Sequence, residues 1–386
     1  MSSTVSDTPV PPHGQSSLHA VQVLGTGSSG SGVHVRSLSA GLVARGLRVT
    51  VCGPWSAEQG YGFTQTGARF TGLDALTDAG SIASLRRATQ GAALVHAHGL
   101  RSGLLAAVAL RGRSVPLIVT WHTRVDAEGA RARLIRLMER RVARAAAIVL
   151  GASSDLVARA RARGARDARL APVAVPAPRR SQETADGRRQ KARAELGVVE
   201  RPLLVTAGRL EATAGHGPLL DAARHWRTLD PRPLLVVAGE GPDRAVLQRR
   251  IDAEGLPVRL LGRREDVPQL LSAADVAVLS SRWEARSLLA QEALHAGVPL
   301  VATAVGGVPE LVGEAAELVP YGDPEALAEA VTGLLADPVR RVELAAAGRA
   351  RTAGWPTEDD TVAHVLSVYD ELVQTFLSEG VDGPGR

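Results

Sequence analysis

The sequence predicts an α/β protein with two doubly wound parallel sheets, and three observations support this prediction. Apolar runs of strand length alternate with helix-period segments along the whole chain. Most runs are continuous, which is typical of strands buried on both faces of a parallel sheet. A stretch rich in Pro, charged and small polar residues, at about 176–192, separates two groups of runs. Each group begins with a strand that leads into a Gly-containing loop, so we expect two Rossmann-like domains facing each other across a cleft.

The predicted strands set the limits of the two domains. They are 19–24, 48–52, 93–97, 116–121 and 147–151 in the first half, and 203–208, 233–239, 258–262, 276–281, 299–305 and 316–320 in the second. They place an N-terminal domain at 19–180 and a C-terminal domain at 193–356, joined by the linker. Residues 1–18 are polar and rich in Pro and Ser, which predicts a disordered lead-in. An amphipathic helix is predicted for about 357–378.

The composition excludes several classes of protein. With 386 residues, of which 45% are hydrophobic, the chain is long enough for two cores. A single cysteine, Cys52, cannot form an internal disulfide and fits a reducing compartment. There is no apolar run of 18 residues and no signal-like segment, so the sequence predicts a cytoplasmic protein without a membrane span.

The positive charge comes almost entirely from arginine. The net charge is +5, with Lys191 as the one lysine. The arginines are interspersed with acids and form no basic stripe with aromatic residues, which argues against a nucleic-acid partner. The densest basic segment, 131–145, holds six arginines and one acid at helical spacing. It is interpreted either as a solvated helix face or as a patch that contacts the inner face of a membrane.

A glycine motif follows the first predicted strand. Gly25, Gly27 and Gly30 have the G-x-G-x-x-G spacing of dinucleotide-binding proteins. That motif also needs an acid at the tip of the second strand, where this chain has residues 52–54, "CGP". An NAD-dependent oxidoreductase is therefore disfavoured. Two readings stay open: a tight turn, or an anion site formed by N–H groups where a helix opens at Val33.

The second half contains two glutamates with E-x(7)-E spacing, Glu284 and Glu292. A helix that opens near Arg286 would carry Glu292, whereas Glu284 would lie in the preceding loop. Paired carboxylates suit the binding of sugar hydroxyls, which both donate and accept hydrogen bonds. The N–H groups of Arg286, Ser287 and Leu288 could then receive a diphosphate at the helix start. The alternative is that both acids are simply solvated.

The stretch 274–312 resembles the donor site of retaining glycosyltransferases with the GT-B fold, in the glycogen-synthase-like group 1. The resemblance extends to 207–210, 238–242, 260–276 and 302–312 in the second half, and to 30–51, 94–99 and 117–123 in the first. Together these motifs cover nearly all of 19–375. In such proteins the C-terminal helix, here 357–378, crosses back to the first domain.

The resemblance implies roles for particular residues. Those implied for donor binding are Gly30, Gly32, Arg209 and Glu292, and they add to the helix-start residues Arg286, Ser287 and Leu288 that the local pattern already indicated. The catalytic positions are His122, which would lie near the sugar, Glu284, which would hold its hydroxyls, and Arg209, which would bind the diphosphate. Glu292 would hold the ribose hydroxyls. His98 is interpreted as structural.

The implied reaction is retaining transfer of a sugar from a nucleotide-diphosphate sugar to an acceptor hydroxyl. No D-x-D motif lies at a predicted strand end, so we expect neither a metal nor a cofactor. Asp359 and Asp360 are expected to stabilise the start of the C-terminal helix instead. The nature of the acceptor (carbohydrate, lipid or small molecule) is left open.

One position departs from the resembled pattern. The family places a lysine for the diphosphate where this chain has Ala214, followed by Gly215. Arg263 or Arg264 could supply the missing charge. Otherwise the protein is slow, altered in donor, or a non-catalytic nucleotide-sugar-binding protein. A sugar-nucleotide epimerase is a further alternative, which the E-x(7)-E spacing disfavours.

Overall fold

The computed structural model describes residues 18–25, 29–74, 78–125, 127–171, 173–174, 185–198 and 200–381. The predicted lead-in up to residue 17, Gly27 and residues 176–184 of the predicted linker lie outside this part of the chain. The remaining residues of the predicted linker, 185–192, belong to a helix that spans Ala185–Leu196. Arg189 and Arg193 of that helix pair with Asp275, which ties the helix to the second sheet.

Thirteen strands in the described residues form two sheets. Those of the first sheet are β1 His19–Leu24, β2 Arg48–Gly53, β3 Arg69–Gly72, β4 Leu94–His98, β5 Leu117–Trp121, β6 Ile148–Gly151 and β7 Ala168–Leu170. Those of the second are β8 Leu203–Ala207, β9 Leu234–Ala238, β10 Val258–Gly262, β11 Val276–Leu279, β12 Leu300–Thr303 and β13 Glu317–Val319.

The strand orders are β3-β2-β1-β4-β5-β6-β7 and β10-β9-β8-β11-β12-β13. Every neighbouring pair of the second sheet is parallel. In the first sheet β1 pairs in parallel with both β2 and β4, so that Val21 faces Thr50 on one side and Val95 on the other. The strand order reverses beside β1 in one sheet and beside β8 in the other. Ligands of doubly wound sheets bind at such reversals.

The eleven predicted strands are all present, and the two that were not predicted are the edge strands β3 and β7. Central strands are continuous buried runs, which the sequence pattern identifies. Strands β3 and β7, the edges of the first sheet, are four and three residues long and only partly buried. They therefore lack the apolar signal on which the prediction depends.

Fifteen α-helices connect and follow the described strands. They are α1 Ser29–Ala44, α2 Trp55–Tyr61, α3 Ala79–Ala88, α4 Leu100–Ala109, α5 Gly129–Ala145, α6 Ser154–Ala162, α7 Ala185–Leu196, α8 His216–His225, α9 Arg244–Glu254, α10 Val267–Ala273, α11 Leu288–Ala296, α12 Val308–Val312, α13 Pro324–Ala336, α14 Pro338–Ala353 and α15 Glu358–Val381. None of the helices in the described residues is long and apolar enough to cross a membrane.

Local sequence explains where several helices begin. Asp323 and Asp337 precede Pro324 and Pro338 and accept from the backbone N–H three residues on. Before α15, the Thr357 N–H donates to the Asp360 carboxylate, and the Asp360 N–H donates to Thr357 Oγ1. This reciprocal cap confirms the expectation that Asp360 stabilises the start of the C-terminal helix.

The chain divides into two compact units. Among the described residues, unit 1 holds those up to Val119, residues 145–147 and those from Leu366 onward, and unit 2 holds Thr120–Arg144 and Ile148–Val365. Within unit 1, α15 is joined to the sheet through Tyr369. Its buried hydroxyl accepts from Gln22 Nε2 at 2.8 Å and lies 2.7 Å from His96 Nδ1. The domain limits expected from the sequence stay a prediction.

Unit 2 has a core of small and branched apolar residues on both sides of the second sheet. One side is built around strand residues such as Val205 and Val236, and the other around Leu204, Leu235 and the fully buried Trp226. With aromatics at 3% of the chain, these cores depend on Ala, Val and Leu. The packing supports the carboxyl ends of β8 and β11, where the candidate site lies.

Candidate functional site

The candidate site lies where the loops after β8 and β11 meet, at the reversal of strand order in the second sheet. The Arg282 N–H donates to the Thr213 carbonyl at 2.9 Å, and Ser280 Oγ donates to the Ala214 carbonyl at 3.3 Å. The loop after β9 is joined to the same group, because the Leu210 N–H donates to the Glu240 carbonyl at 3.0 Å. Backbone contacts therefore fix these three loops against one another.

Two glycines make these close approaches possible. Gly215 has a φ of +70°, and a Cβ atom there would lie 1.8 Å from the Ser280 carbonyl oxygen. A Cβ atom on Gly239 would lie 1.8 Å from the Gly208 carbonyl oxygen. Both obstacles are backbone atoms of a neighbouring loop, so no side chain can be added without moving that loop.

A second glycine pair holds the backbone of Glu284. The Gly307 N–H donates to the Glu284 carbonyl at 2.9 Å. Cβ atoms on Gly306 and Gly307 would lie 2.1 Å and 2.2 Å from the carbonyl oxygens of Glu284 and Ala285. The "AVGGVPE" motif after β12 thus packs directly on the loop that carries the first glutamate.

The Glu284 carboxylate is half-buried and belongs to a small group of polar side chains. Ser281 Oγ donates to its Oε1 at 3.0 Å. Burial raises the pKa of Glu284 above its usual range, the Ser281 hydrogen bond opposes that rise, and the negative charge of Glu211 adds to it. The carboxylate is thus oriented by one hydroxyl, and its other oxygen can accept further hydrogen bonds.

Glu292 lies in the second turn of α11 and is also half-buried. Burial raises its pKa to about 7. No side chain in the described part of the chain donates a hydrogen bond to it. A carboxylate placed in this way is costly to ionise when alone, and hydroxyl groups of a ligand would lower that cost.

Helix α11, which follows Glu284 and carries Glu292, begins just after Arg286. Ser287 is its N-cap and accepts from the Ala290 N–H, and the first helical residue is Leu288. The helix therefore opens within two residues of Arg286, as expected, with Glu292 inside it. Because the first N–H groups of a helix have no intrahelical acceptor, those of Leu288 and Leu289 are the ones that the helix start offers to an anion.

The Arg286 side chain packs against neighbouring parts of the protein. Its Nε donates to the Val173 carbonyl at 2.9 Å, and its guanidinium carbon lies 5.3 Å from the centre of the Trp355 ring. Burial lowers the pKa of Arg286 to about 10. These contacts use the guanidinium for packing, so a role for Arg286 in donor binding stays a prediction that rests on its backbone.

Arg209 follows β8 and is 68% exposed. Its Nε lies 3.1 Å from Glu211 Oε2, in an ion pair that water screens and that is therefore weak. The charge of Glu211 also acts on Glu284. Arg209 and Glu284, which are 75 residues apart by number (284 − 209), are thus both linked to Glu211.

Ala214 ends a short 3-10 turn, Ala212–Ala214, and supplies no charge. Of the two arginines expected to compensate, Arg264 donates to both carboxylate oxygens of Asp266, at 2.7 Å and 2.5 Å. Arg282 was not expected, yet its backbone is bonded to the residue before Ala214. Its side chain is exposed and forms no ion pair within the described residues. Because β8 and β11 are neighbours, the residues that follow them lie side by side, and this adjacency is the signal that would have identified Arg282.

In the first half of the chain, Gly30 and Gly32 lie in a helix and not in the loop that the sequence predicted. Helix α1 begins at Ser29, so Gly30 and Gly32 lie in its first turns, and the prediction that Val33 opens the helix is wrong. Gly32 is buried, and a Cβ atom there would lie 2.1 Å from the Tyr61 ring. A side chain here would displace that ring, so the close packing of the helix on Tyr61 favours glycine.

His122 directly follows β5 and is half-buried. His98 ends β4, is buried, and has its Nε2 2.8 Å from Gln22 Oε1. That buried hydrogen bond supports the structural interpretation of His98. The proposed positions of His122, Gly30 and Gly32 beside the sugar and the diphosphate stay predictions.

Solved structures share this fold. Anabaena HepE in complex with UDP-glucose superposes with a TM-score of 0.78 over 90% of this chain and 99% of that chain, at 19% sequence identity. The strand order, the parallel sheets and this likeness define a protein of the GT-B fold.

Sequence comparisons identify the family. The model of glycosyl transferases group 1 matches residues 188–351, and that of a glycosyl transferase 4-like domain matches residues 29–176. The D-inositol 3-phosphate glycosyltransferase of Xylanimonas cellulosilytica is 31% identical over 91% of this chain and 94% of its own length. The GDP-mannose-dependent monoacylated alpha-(1-6)-phosphatidylinositol monomannoside mannosyltransferase of Corynebacterium glutamicum is 33% identical over 43% of this chain and 47% of its own length. The chain belongs to the group 1 glycosyltransferases, as its motifs predicted.

Proposed function

We propose that this glycosyltransferase moves a sugar from a nucleotide-diphosphate sugar to an acceptor hydroxyl with retention at the anomeric carbon. The observation that carries the proposal is the arrangement around α11. Glu284 is held in the loop before this helix, Glu292 lies within it, and the helix start lies between them. Two acceptors for hydroxyl groups thus flank a site for an anion.

Each group has a role in the reaction. The bond from the anomeric carbon to the diphosphate oxygen breaks, a bond to the acceptor oxygen forms on the same face, and the proton of the acceptor hydroxyl passes to the leaving diphosphate oxygen. Negative charge grows on the leaving diphosphate. Arg209, Arg282 and the N–H groups at the start of α11 would stabilise that charge, whereas Glu284 holds the sugar hydroxyls. His122 lies near the sugar in this proposal.

Metal independence is part of the proposal, because arginines and helix N–H groups would take the role that a cation takes in other sugar transferases. The test is turnover in excess chelator. Full turnover is expected. Loss of turnover that added Mg²⁺ or Mn²⁺ reverses would contradict this part of the proposal.

The names of related proteins suggest donors and acceptors to test. HepE was solved with UDP-glucose, and the C. glutamicum relative is named as GDP-mannose-dependent. UDP and GDP sugars are therefore the first donors to screen. The relatives' names include a phosphorylated inositol and a phosphatidylinositol mannoside, so polyol phosphates and lipid-linked sugars are the first acceptors.

The decisive experiment compares Glu284→Gln with Glu329→Gln, an exposed acid on α13. A thermal-shift screen first identifies the donor, since a bound donor stabilises the folded state by mass action. Turnover and the anomeric configuration of the product are then measured by NMR. Glu284→Gln should lower turnover about 10²- to 10³-fold, whereas Glu329→Gln should not change it. An inverted product, or equal turnover in both variants, would contradict the proposal.

A second candidate is a non-catalytic nucleotide-sugar-binding protein, and the observation that favours it is Ala214. Calorimetric titration of the donor beside an assay of transfer and of donor hydrolysis separates the two. Binding without any turnover would support this second candidate.

The proposal also concerns location. We place the protein in the cytoplasm, with peripheral contact at the inner face of a membrane through residues 131–145. Fractionation of cells into membrane and cytosol at low and high salt tests this assignment.

A further inference from the structure

Helix α5 presents an outer face that carries only positive charge. Its arginines are Arg131, Arg133, Arg136, Arg140, Arg141 and Arg144. All of them are exposed. Within the part of the chain that the structure describes, none of them forms an ion pair. We call Arg133, Arg136, Arg140, Arg141 and Arg144, which share the outer side of the helix, the arginine face of α5.

The one acid of α5 is turned away from this face. Glu139 is buried, and its carboxylate accepts from Arg159 Nε at 2.9 Å and from Arg163 Nε at 2.7 Å. These arginines lie in α6 and directly after it. The negative charge of α5 is therefore neutralised on the inner side, and it cannot offset the charge of the arginine face.

Two leucines lie among the exposed arginines. Leu134 and Leu137 are 57% and 54% exposed, although α5 has a separate buried face that includes Ile135 and Val142. Leu134 and Leu137 are three residues apart, so they are neighbours on the helix surface. Large apolar side chains within a cationic face are typical of helices that lie in the interface of a lipid bilayer.

We infer that α5 docks on the surface of an anionic lipid bilayer, with its arginines at the headgroups and Leu134 and Leu137 inserted below them. This sharpens the peripheral contact of the proposed function by naming its residues and its lipid. The axis of α5 would lie parallel to the membrane. Helix α5 has no aromatic residue on which the bases of a single-stranded nucleic acid could stack, which disfavours that partner.

The test measures partition of the full chain onto vesicles of phosphatidylcholine alone and of phosphatidylcholine with phosphatidylglycerol. The wild-type protein should bind the anionic vesicles, and added salt should weaken this binding. Arg133→Gln with Arg136→Gln and Arg140→Gln should lower the partition coefficient about a hundredfold, at about fivefold for each arginine. Leu134→Ser with Leu137→Ser should lower it about tenfold or more while the salt dependence stays.

Helix α9 supplies a matched control. It carries Val246, which is 57% exposed, and the exposed Arg249. Val246→Ser with Arg249→Gln should leave vesicle binding unchanged. Circular dichroism shows whether each variant is folded, and any variant that is not folded is replaced by the single substitutions Arg136→Gln and Leu137→Ser.

Several outcomes would overturn the inference. They are equal binding to neutral and anionic vesicles, no vesicle binding by the wild-type protein, equal loss in the α5 and α9 variants, and retention of an anionic polymer such as heparin without binding to vesicles. Turnover with a water-soluble acceptor should not change in the α5 variants. Absence of turnover in the wild-type protein and all variants alike would instead contradict the proposed function, and it would leave the vesicle result valid.

Discussion

A glycine lies at the start of the helix that follows β1 and another at the start of the helix that follows β8. The atoms that a Cβ would meet differ between the two positions. In the first sheet a Cβ atom on Gly32 would lie 2.1 Å from the Tyr61 ring. In the second sheet a Cβ atom on Gly215 would lie 1.8 Å from the Ser280 carbonyl oxygen. A ring at the end of a side chain can rotate away, but a backbone carbonyl can move only with its loop. The loop of Ser280 leads to Glu284, so the second glycine is coupled to the candidate site.

The largest effect is expected for Gly215→Ala. The new methyl group would force the loop of Ser280 to move and would strain a residue with a φ of +70°. Turnover should fall more than about a hundredfold, and the free energy of unfolding should fall by about 1–3 kcal/mol. The matched control is Gly217→Ala, which meets no atom within 4 Å and should be nearly neutral. Equal turnover in Gly215→Ala and Gly217→Ala would contradict the coupling of Gly215 to the candidate site.

A smaller effect is expected for Arg282→Ala, which tests the charge beside Ala214. If Arg282 supplies the charge that the family lysine supplies elsewhere, turnover should fall about ten- to hundredfold, and the KM for the donor should rise. Ala214→Lys in the same background should restore much of the loss. The control is Arg264→Ala, whose guanidinium is already paired with Asp266. A larger loss in Arg264→Ala would contradict this assignment.

These contrasts show why the sequence predicted some features and not others. The strands and the two glutamates were predictable, because continuous apolar runs and a fixed spacing are local signals. The partner of Gly215 was not, since Ser280 is 65 positions away (280 − 215) and lies beside it only through the pairing of β8 with β11. Arg282 was missed for the same reason. The start of α11 was predictable to within two residues, and Ser287 is the residue that caps it.

Gly32→Ala should have a smaller effect than Gly215→Ala, because only the Tyr61 ring obstructs the new methyl group. We expect the free energy of unfolding to fall by about 0.5–1.5 kcal/mol, the cost of turning that ring away from its preferred rotamer. Adding Tyr61→Leu to the Gly32→Ala variant should recover most of the lost free energy of unfolding. Gly60→Ala, beside that ring, meets no atom within 4 Å and serves as the control. If Tyr61→Leu recovers stability but not turnover, Gly32 acts on the donor as well as on packing.

The smallest expected effect is a pH dependence of stability, and the groups that cause it differ between the two halves of the chain. In the first, burial lowers the pKa of His34 to about 4 and that of His96 to about 3, so both are neutral at pH 7. In the second, burial raises the pKa of Glu292 to about 7. Above about pH 6.5 the side chains of His34 and His96 are largely neutral in the folded and the unfolded chain, whereas Glu292 changes its charge in the folded chain near pH 7.

The sign of this dependence follows from linkage. Between about pH 4.5 and pH 7 the folded chain keeps the Glu292 proton and the unfolded chain does not, so the contribution of Glu292 to stability falls as the pH rises through this range. His34 and His96 contribute in the opposite direction between about pH 4 and pH 6.5, because only the unfolded chain binds their protons there. Glu292→Gln should remove that fall and raise the melting temperature at pH 8 more than at pH 4, whereas Glu329→Gln should not. If ribose hydroxyls donate to the carboxylate, donor binding should release a proton near pH 7, and calorimetry in buffers of different ionisation enthalpy measures it. Because Glu292→Gln has no proton to release, a release that persists in this variant would show that a different group binds the ribose.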